Sequence, residues 1–90
     1  MEKSGNAIVF FHSAICPRCR ISGLALRKVL RQHPDIEVTK VEFLTHRDRA
    51  REAGIRSIPA LVANGRTLTG IVLTPAMIER FLASLDGSAD

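Results

Sequence analysis

The stretch Ile8-Val9-Phe10-Phe11-His12-Ser13-Ala14-Ile15-Cys16-Pro17-Arg18-Cys19 decides how the rest of this chain reads. It opens, from Ala7 to Phe11, on a continuous apolar run of β formers, short enough for a strand buried on both faces. His12 to Ile15 then read as a loop. Pro17 suits the first turn of a helix, where no backbone N–H is needed. Cys16 and Cys19 are the only two cysteines in the chain. At this spacing they form either a dithiol that cycles to a disulfide, or half of a metal site. They could also be two small buried hydrophobes.

Length and charge narrow the choice. Ninety residues suit one domain, expected over 1–90 with its core at about 7–85. The net charge of +4, from 13 Lys and Arg against 9 Asp and Glu, invites nucleic acid. The basic residues are spread over several segments, however, and no exposed-looking aromatics lie between them to stack on bases. An acidic protein partner fits better. No apolar run approaches the ~20 residues of a membrane span, so no membrane partner is expected. Met1 to Gly5 lack the features of a signal peptide, and two cysteines are too few for a stapled secreted scaffold. The chain therefore reads as cytoplasmic and monomeric, and a disulfide in it would be transient.

Outward from the cysteines, the segment from Pro17 to about Gln32 carries Ile21, Leu24, Ala25, Leu26, Val29 and Leu30 at helical spacing. Cations crowd its last half, and Pro34 stops it. Gly23 within it points to close packing or a bend. Ile36 to Leu44 form a second strand. Thr45 is expected to cap a short polar helix, His46 to Ala53, with Asp48 as its capping-box partner. Gly54 ends that helix in a left-handed conformation. Ser57-Ile58-Pro59 leads into a third strand, Ala60 to Ala63, and Asn64-Gly65 is a two-residue hairpin signal. A return strand is expected from Arg66 to Leu73, with Gly70 as a bulge or close approach. Thr74-Pro75 opens a last helix with its stripe at Ile78, Phe81, Leu82 and Leu85. Asp86 to Asp90 read as a fraying tail. The order β-α-β-α-β-β-α predicts an α/β fold, with a mixed four-stranded sheet and helices on both faces.

Cys16-Pro17-Arg18-Cys19 after the first strand, Gly54-Ile55-Arg56-Ser57-Ile58-Pro59 before the third, and Asn64-Gly65 with Gly70 resemble the thioredoxin and glutaredoxin superfamily over nearly the whole chain. The resemblance implies a thioredoxin-like fold and a cis Pro59 facing the dithiol. Such a turn would leave the Ile58 backbone free to pair with an extended substrate peptide. Pro17 is similar to the Pro-first dipeptide of glutaredoxins. Arg18 replaces their usual Tyr, and Gly70 to Thr74 lack their Gly-Gly pair. The acid that thioredoxins place in the first strand is absent from Ile8 to Phe11. Lys40 stands where thioredoxins carry a strand lysine.

Cys16 at a helix start meets free N–H groups and the positive end of the dipole, which favour a thiolate. Arg18 adds charge in the same sense. Cys19, three residues on, shares its helix face. These positions make Cys16 the candidate nucleophile and Cys19 the resolving thiol. His12 is a candidate for ion pairing with the thiolate or for proton relay, and Lys40 for steering the protonation of Cys19. The resulting expectation is a thiol–disulfide oxidoreductase that reduces protein disulfides. Its redox centre would be the Cys16–Cys19 disulfide, with no bound cofactor or metal, and its electron donor an external reductase or low-molecular-weight thiol. The alternatives are a glutathione-linked glutaredoxin, and a non-enzymatic redox sensor or metal-binding module.

Overall fold

In the computed structural model, which describes residues 7–87, the apolar run is the second strand of a four-stranded sheet. The elements are β1 (Ala7–His12), α1 (Pro17–Leu30), β2 (Glu37–Glu42), α2 (Arg47–Glu52), β3 (Ala60–Ala63), β4 (Arg66–Thr69) and α3 (Pro75–Gly87). The strands lie in the order β2-β1-β3-β4. β1 runs parallel to β2, from Ala7 opposite Glu37 to His12 opposite Glu42. It runs antiparallel to β3, with Phe11 opposite Ala60, and β3 returns antiparallel along β4. β1 is therefore paired on both edges and covered on both faces, which is why its sequence is apolar without alternation.

The two faces of the sheet hold two cores. Ile8, Phe10, Leu61 and Ala63 face α1 and α3, meeting Leu26, Val29, Ile78, Phe81, Leu82 and Leu85. Phe11, Val41 and Ala60 face the opposite way, against Ala50 and Ile55 around α2. Alternate residues of β1 thus feed different cores.

Local chemistry sets most of the connections. Asn64 (φ 52°) and Gly65 (φ 76°) both adopt positive φ, as the tight hairpin between β3 and β4 requires. Gly54 (φ 78°) follows α2, where its N–H donates to the Arg51 carbonyl at 3.0 Å and the Ile55 N–H to the Ala50 carbonyl at 2.8 Å. This is a Schellman closure, and the buried Ala50 and Ile55 complete it as the apolar contact across the turn.

Several expectations need correction, beginning with the second strand, which covers Glu37–Glu42 rather than Ile36 to Leu44. α1 ends at Leu30. Arg31, Gln32 and His33 follow in tighter turns, donating to the carbonyls of Lys28, Val29 and Leu30. α2 is capped by His46, not Thr45, because the Thr45 hydroxyl turns back to the Glu42 carbonyl at 3.4 Å. Asp48, rather than completing a capping box, meets Arg51 at 3.4 Å. β4 stops at Thr69, so Gly70 is no mid-strand bulge. A side chain there would come within 3.3 Å of the Met77 methyl, which makes Gly70 a point of close approach. α3 continues through Gly87, so the tail starts later than Asp86. The readings of Met1 to Gly5 and of residues 88–90 lie outside the described residues.

Helix α1 also buries a different face from its apolar spacing. Ile21 (54% exposed) and Leu24 (61%) face outward, while Cys19, Ser22, Leu26 and Val29 face in. Ser22 is fully buried, and its hydroxyl oxygen accepts the Leu73 backbone N–H at 2.8 Å. That bond ties the segment entering α3 to the middle of α1. Gly23 lies beside the Phe10 ring, where an added Cβ would sit at an ordinary 3.5 Å. Ser22→Ala would leave a buried N–H without a partner, at a cost of about 1–3 kcal/mol. The expected result is a lower urea midpoint with an unchanged slope. A loss below about 0.3 kcal/mol would mean that water replaces the hydroxyl.

Candidate active site

Cys16 is the N-cap of α1, in an extended conformation with φ −100° and ψ 109°. Pro17 follows at the first helical position, where its missing N–H costs nothing and its ring presets φ. The loop before the cap is held from within. The Cys16 N–H donates to the Ser13 carbonyl at 3.1 Å, and the Ile15 N–H to the Ser13 hydroxyl at 3.4 Å. The Ala14 N–H reaches the Glu42 carboxylate on β2 at 3.2 Å. The His12 carbonyl accepts the Phe43 N–H at 2.7 Å. Strand pairing on β1 and β2 thus runs directly into the loop that carries the first sulfur.

The sulfur itself takes the place of a capping oxygen. Cys16 Sγ accepts the Cys19 backbone N–H at 3.2 Å, one of the donors a helix start leaves unpaired. Both cysteines are free thiols. Cys16 is half-buried, whereas Cys19 is 2% exposed. The two titrate in opposite directions. Desolvation works against the Cys16 thiolate. It is outweighed by hydrogen bonds from the Cys19 thiol and N–H, the Arg18 charge and the Arg18 N–H, so the Cys16 thiol lies below its ordinary value. Burial, followed by the hydrogen bond with Cys16 and the Cys16 charge, pushes Cys19 up to about 12, against smaller opposing effects of the Ser13 backbone and Arg18. The geometry separates an ionisable, accessible thiol from a protonated, enclosed one.

The other candidate residues fall into two groups. Ile58-Pro59 is a cis peptide bond immediately before β3. Because Ala60 pairs with Phe11 and with Thr69, the bond lies at the same end of the sheet as the His12–Cys16 loop and Gly70. His12 and Lys40 belong to a second feature, a cleft of about 410 Å³ whose lining includes Cys19, Phe10, His12, Arg20, Arg27 and Lys40. The His12 ring stacks on Phe10, with centroids 5.3 Å apart and planes at 15°. Among the described residues, no three His, Cys, Asp or Glu side chains gather where they could hold one metal ion. No helix of the described residues is long and apolar enough to cross a membrane. Reading the sequence did not find Ser13, whose backbone and hydroxyl shape the loop, nor Ser22. A small polar residue three positions before a candidate cap was the available signal for the first.

Arg18 offers a test of the electrostatics. Cys16 alkylation follows its thiolate fraction, so the rate rises with pH through the Cys16 pKa and levels off above it. Arg18→Gln removes one of the influences holding that pKa down, so the midpoint should move up. Because Arg18 is exposed, screening limits the change, and the rate at pH 7 should fall about two- to fivefold. A midpoint that moves down would remove Arg18 from the account.

No family model matches the chain. It is 32% identical to the thioredoxin of Methanocaldococcus jannaschii over 59 residues, covering 64% of this chain and 69% of the archaeal protein. The chain belongs to the thioredoxin superfamily. A second relative of this thioredoxin-like protein is the mitochondrial thioredoxin of Bos taurus, 33% identical over 85 residues. That match covers 89% of this chain but only 51% of the bovine one, so the chain spans about half the length of that relative. Among solved structures, the reduced form of desulfothioredoxin from Desulfovibrio vulgaris Hildenborough superposes with a TM-score of 0.73 at 26% identity. The superposition covers 87% of this chain and 79% of that one. The thioredoxin-like fold expected from the sequence therefore stands, with α1 and α3 on one face of the sheet and α2 on the other.

Proposed function

We propose that the chain is a thiol–disulfide oxidoreductase that reduces protein disulfides through Cys16 and Cys19. The observation that carries this reading is the Cys16 sulfur at the N-cap of α1, accepting the Cys19 N–H at 3.2 Å, with a buried second thiol one turn inward. The Cys16 thiolate attacks one sulfur of a substrate disulfide and expels the other as a thiolate, which takes up a proton. Cys19 then loses its proton and attacks Cys16 in the mixed disulfide. The second substrate sulfur leaves reduced, and the two electrons it gains leave a Cys16–Cys19 disulfide behind. An external reductase or low-molecular-weight thiol returns those electrons. The substrate is a disulfide-containing protein, whose extended segment pairs with the Ile58 backbone beside the cis Pro59. The chain works as a monomer, without a bound cofactor, in the cytoplasm, where free thiols persist.

Cys19 needs a proton acceptor, since burial keeps it protonated. Among the described residues no carboxylate lines the cleft beside it, and His12 contributes the one imidazole there. His12 is therefore assigned that role, its ring held by stacking on Phe10. In His12→Gln, attack on the substrate should proceed at the native rate. Release of the mixed disulfide should slow about 100-fold or more, so that rapid-quench samples contain trapped adduct. Slowing of both steps equally would mark a structural effect instead.

The function is tested by insulin reduction with three electron sources compared: a thioredoxin reductase with NADPH, glutathione with its reductase, and dithiothreitol. Turnover driven by the reductase or the dithiol is expected. No turnover with any of the three would overturn the proposal. Turnover with glutathione alone would replace it with the glutathione-linked reading.

A further inference from the structure

The cleft beside Cys19 concentrates positive charge without any of the partners that would neutralise it. Arg20 and Arg27 reach it from α1, seven residues and so about two turns apart on one helix face. Lys40 reaches it from β2, where it stands opposite Phe10 of β1. None of these three side chains makes an ion pair or side-chain hydrogen bond among the described residues. Among the described residues, no Asp or Glu lines the cleft. Glu42, opposite His12 in register, accepts the Ala14 N–H. Three exposed cations from two elements thus line one cleft, where an anion could meet them together.

We infer that this cleft binds a small phosphate-type dianion, and binds it more tightly when Cys16 and Cys19 are joined as a disulfide than when they are free. Two guanidinium forks and an ammonium suit the oxygens of a phosphate, and about 410 Å³ leaves room for an organic group beside them. The chemistry is shared by free phosphate and by a small phosphorylated molecule. The redox preference follows from charge. Above the Cys16 pKa, oxidation converts a Cys16 thiolate and a Cys19 thiol into a disulfide, releasing two electrons and one proton, so the negative charge next to Cys19 disappears. A dianion next to Cys19 is repelled by the dithiol form and not by the disulfide form. By reciprocity, the bound anion favours the oxidised protein and lowers its reduction potential. Only this linkage rests on the proposed dithiol chemistry; the anion site does not.

The test is an NMR titration of the full chain with inorganic phosphate and, separately, with phenyl phosphate, at constant ionic strength maintained with chloride. Both redox forms are titrated, alongside the Arg27→Gln/Lys40→Gln variant. Saturable shifts are expected at His12, Gly23 and Lys40, with affinity about tenfold or more weaker in the variant. Binding in the disulfide form should be at least about threefold tighter than in the dithiol form. Tighter binding of phenyl phosphate would identify a phosphorylated aromatic as the better ligand, and equal binding the phosphate alone; either supports the site. Shifts that do not saturate, or an affinity unchanged in the variant, would overturn the site. Equal affinity for the two redox forms would overturn the linkage. Insulin turnover by the unaltered chain is read separately, so its absence together with saturable phosphate binding would sink the proposed function and leave the site standing.

Discussion

Cys16→Ser should abolish insulin reduction, by about 10³-fold or more with dithiothreitol as donor. Cys19→Ser should stop turnover at a different point. The argument is geometric. Cys16 alone is both accessible and placed where the helix N–H groups and Arg18 favour its thiolate. A serine there keeps a capping oxygen but has no nucleophile at neutral pH. Cys19 is enclosed and held protonated near 12, so it cannot make the first attack. Without it, Cys16 still attacks, and the mixed disulfide has no internal route to release. Intact-mass measurements after mixing with a disulfide protein should show a covalent adduct in Cys19→Ser and none in Cys16→Ser. The reverse pattern would exchange the two roles. Adduct in neither variant would remove the dithiol from the function.

The largest loss of stability is expected from Ile78→Ala. Ile78 is fully buried on α3, in the core that joins α1 and α3 to β1 and β3. Its removal leaves a cavity that the surrounding core can only partly collapse into, at about 2–5 kcal/mol. The whole stability of a domain is typically only 5–15 kcal/mol. For a chain of this size each kcal/mol is worth about 4–8 °C, so the melting temperature should fall by roughly 8–40 °C. Ile71→Ala serves as the control. Ile71 is 74% exposed, and its loss should change stability by no more than about 0.5 kcal/mol. A drop below about 1 kcal/mol for Ile78→Ala would mean that the α3 interface repacks.

What the sequence made legible was the chemistry that acts between neighbours in the chain. The buried β1, the proline at the first position of α1, the left-handed Gly54 and the Asn64-Gly65 turn each follow from a few adjacent residues. The features that stayed hidden depend on contacts between distant ones. Ile21 and Leu24 keep helical spacing with the core residues of α1, yet the helix leans on the sheet through a narrower face. Ser22 would pass for a surface serine. Its burial follows from the Leu73 N–H, 51 positions away. Thr45 and His46 compete for one cap, and only the backbone path decides between them. In the site, the two cysteines and the proline at 59 could be read from the chain as a resemblance. The gathering of Arg20, Arg27, Lys40 and His12 around Cys19 could not, because it needs β2 and α1 to be placed against β1.

The strand order has a consequence for the protein in concentrated solution. Both outer strands leave one row of backbone hydrogen-bonding groups unpaired, the usual starting point for strand-to-strand aggregation. β2 guards its row with Glu37, Lys40 and Glu42, all on a six-residue strand, and β4 is only four residues long and begins on Arg66. Lys40 therefore serves colloidal stability as well as the cleft. A variant that neutralises it for a binding experiment gives up one of the charges that keep the molecules apart, and belongs at low protein concentration.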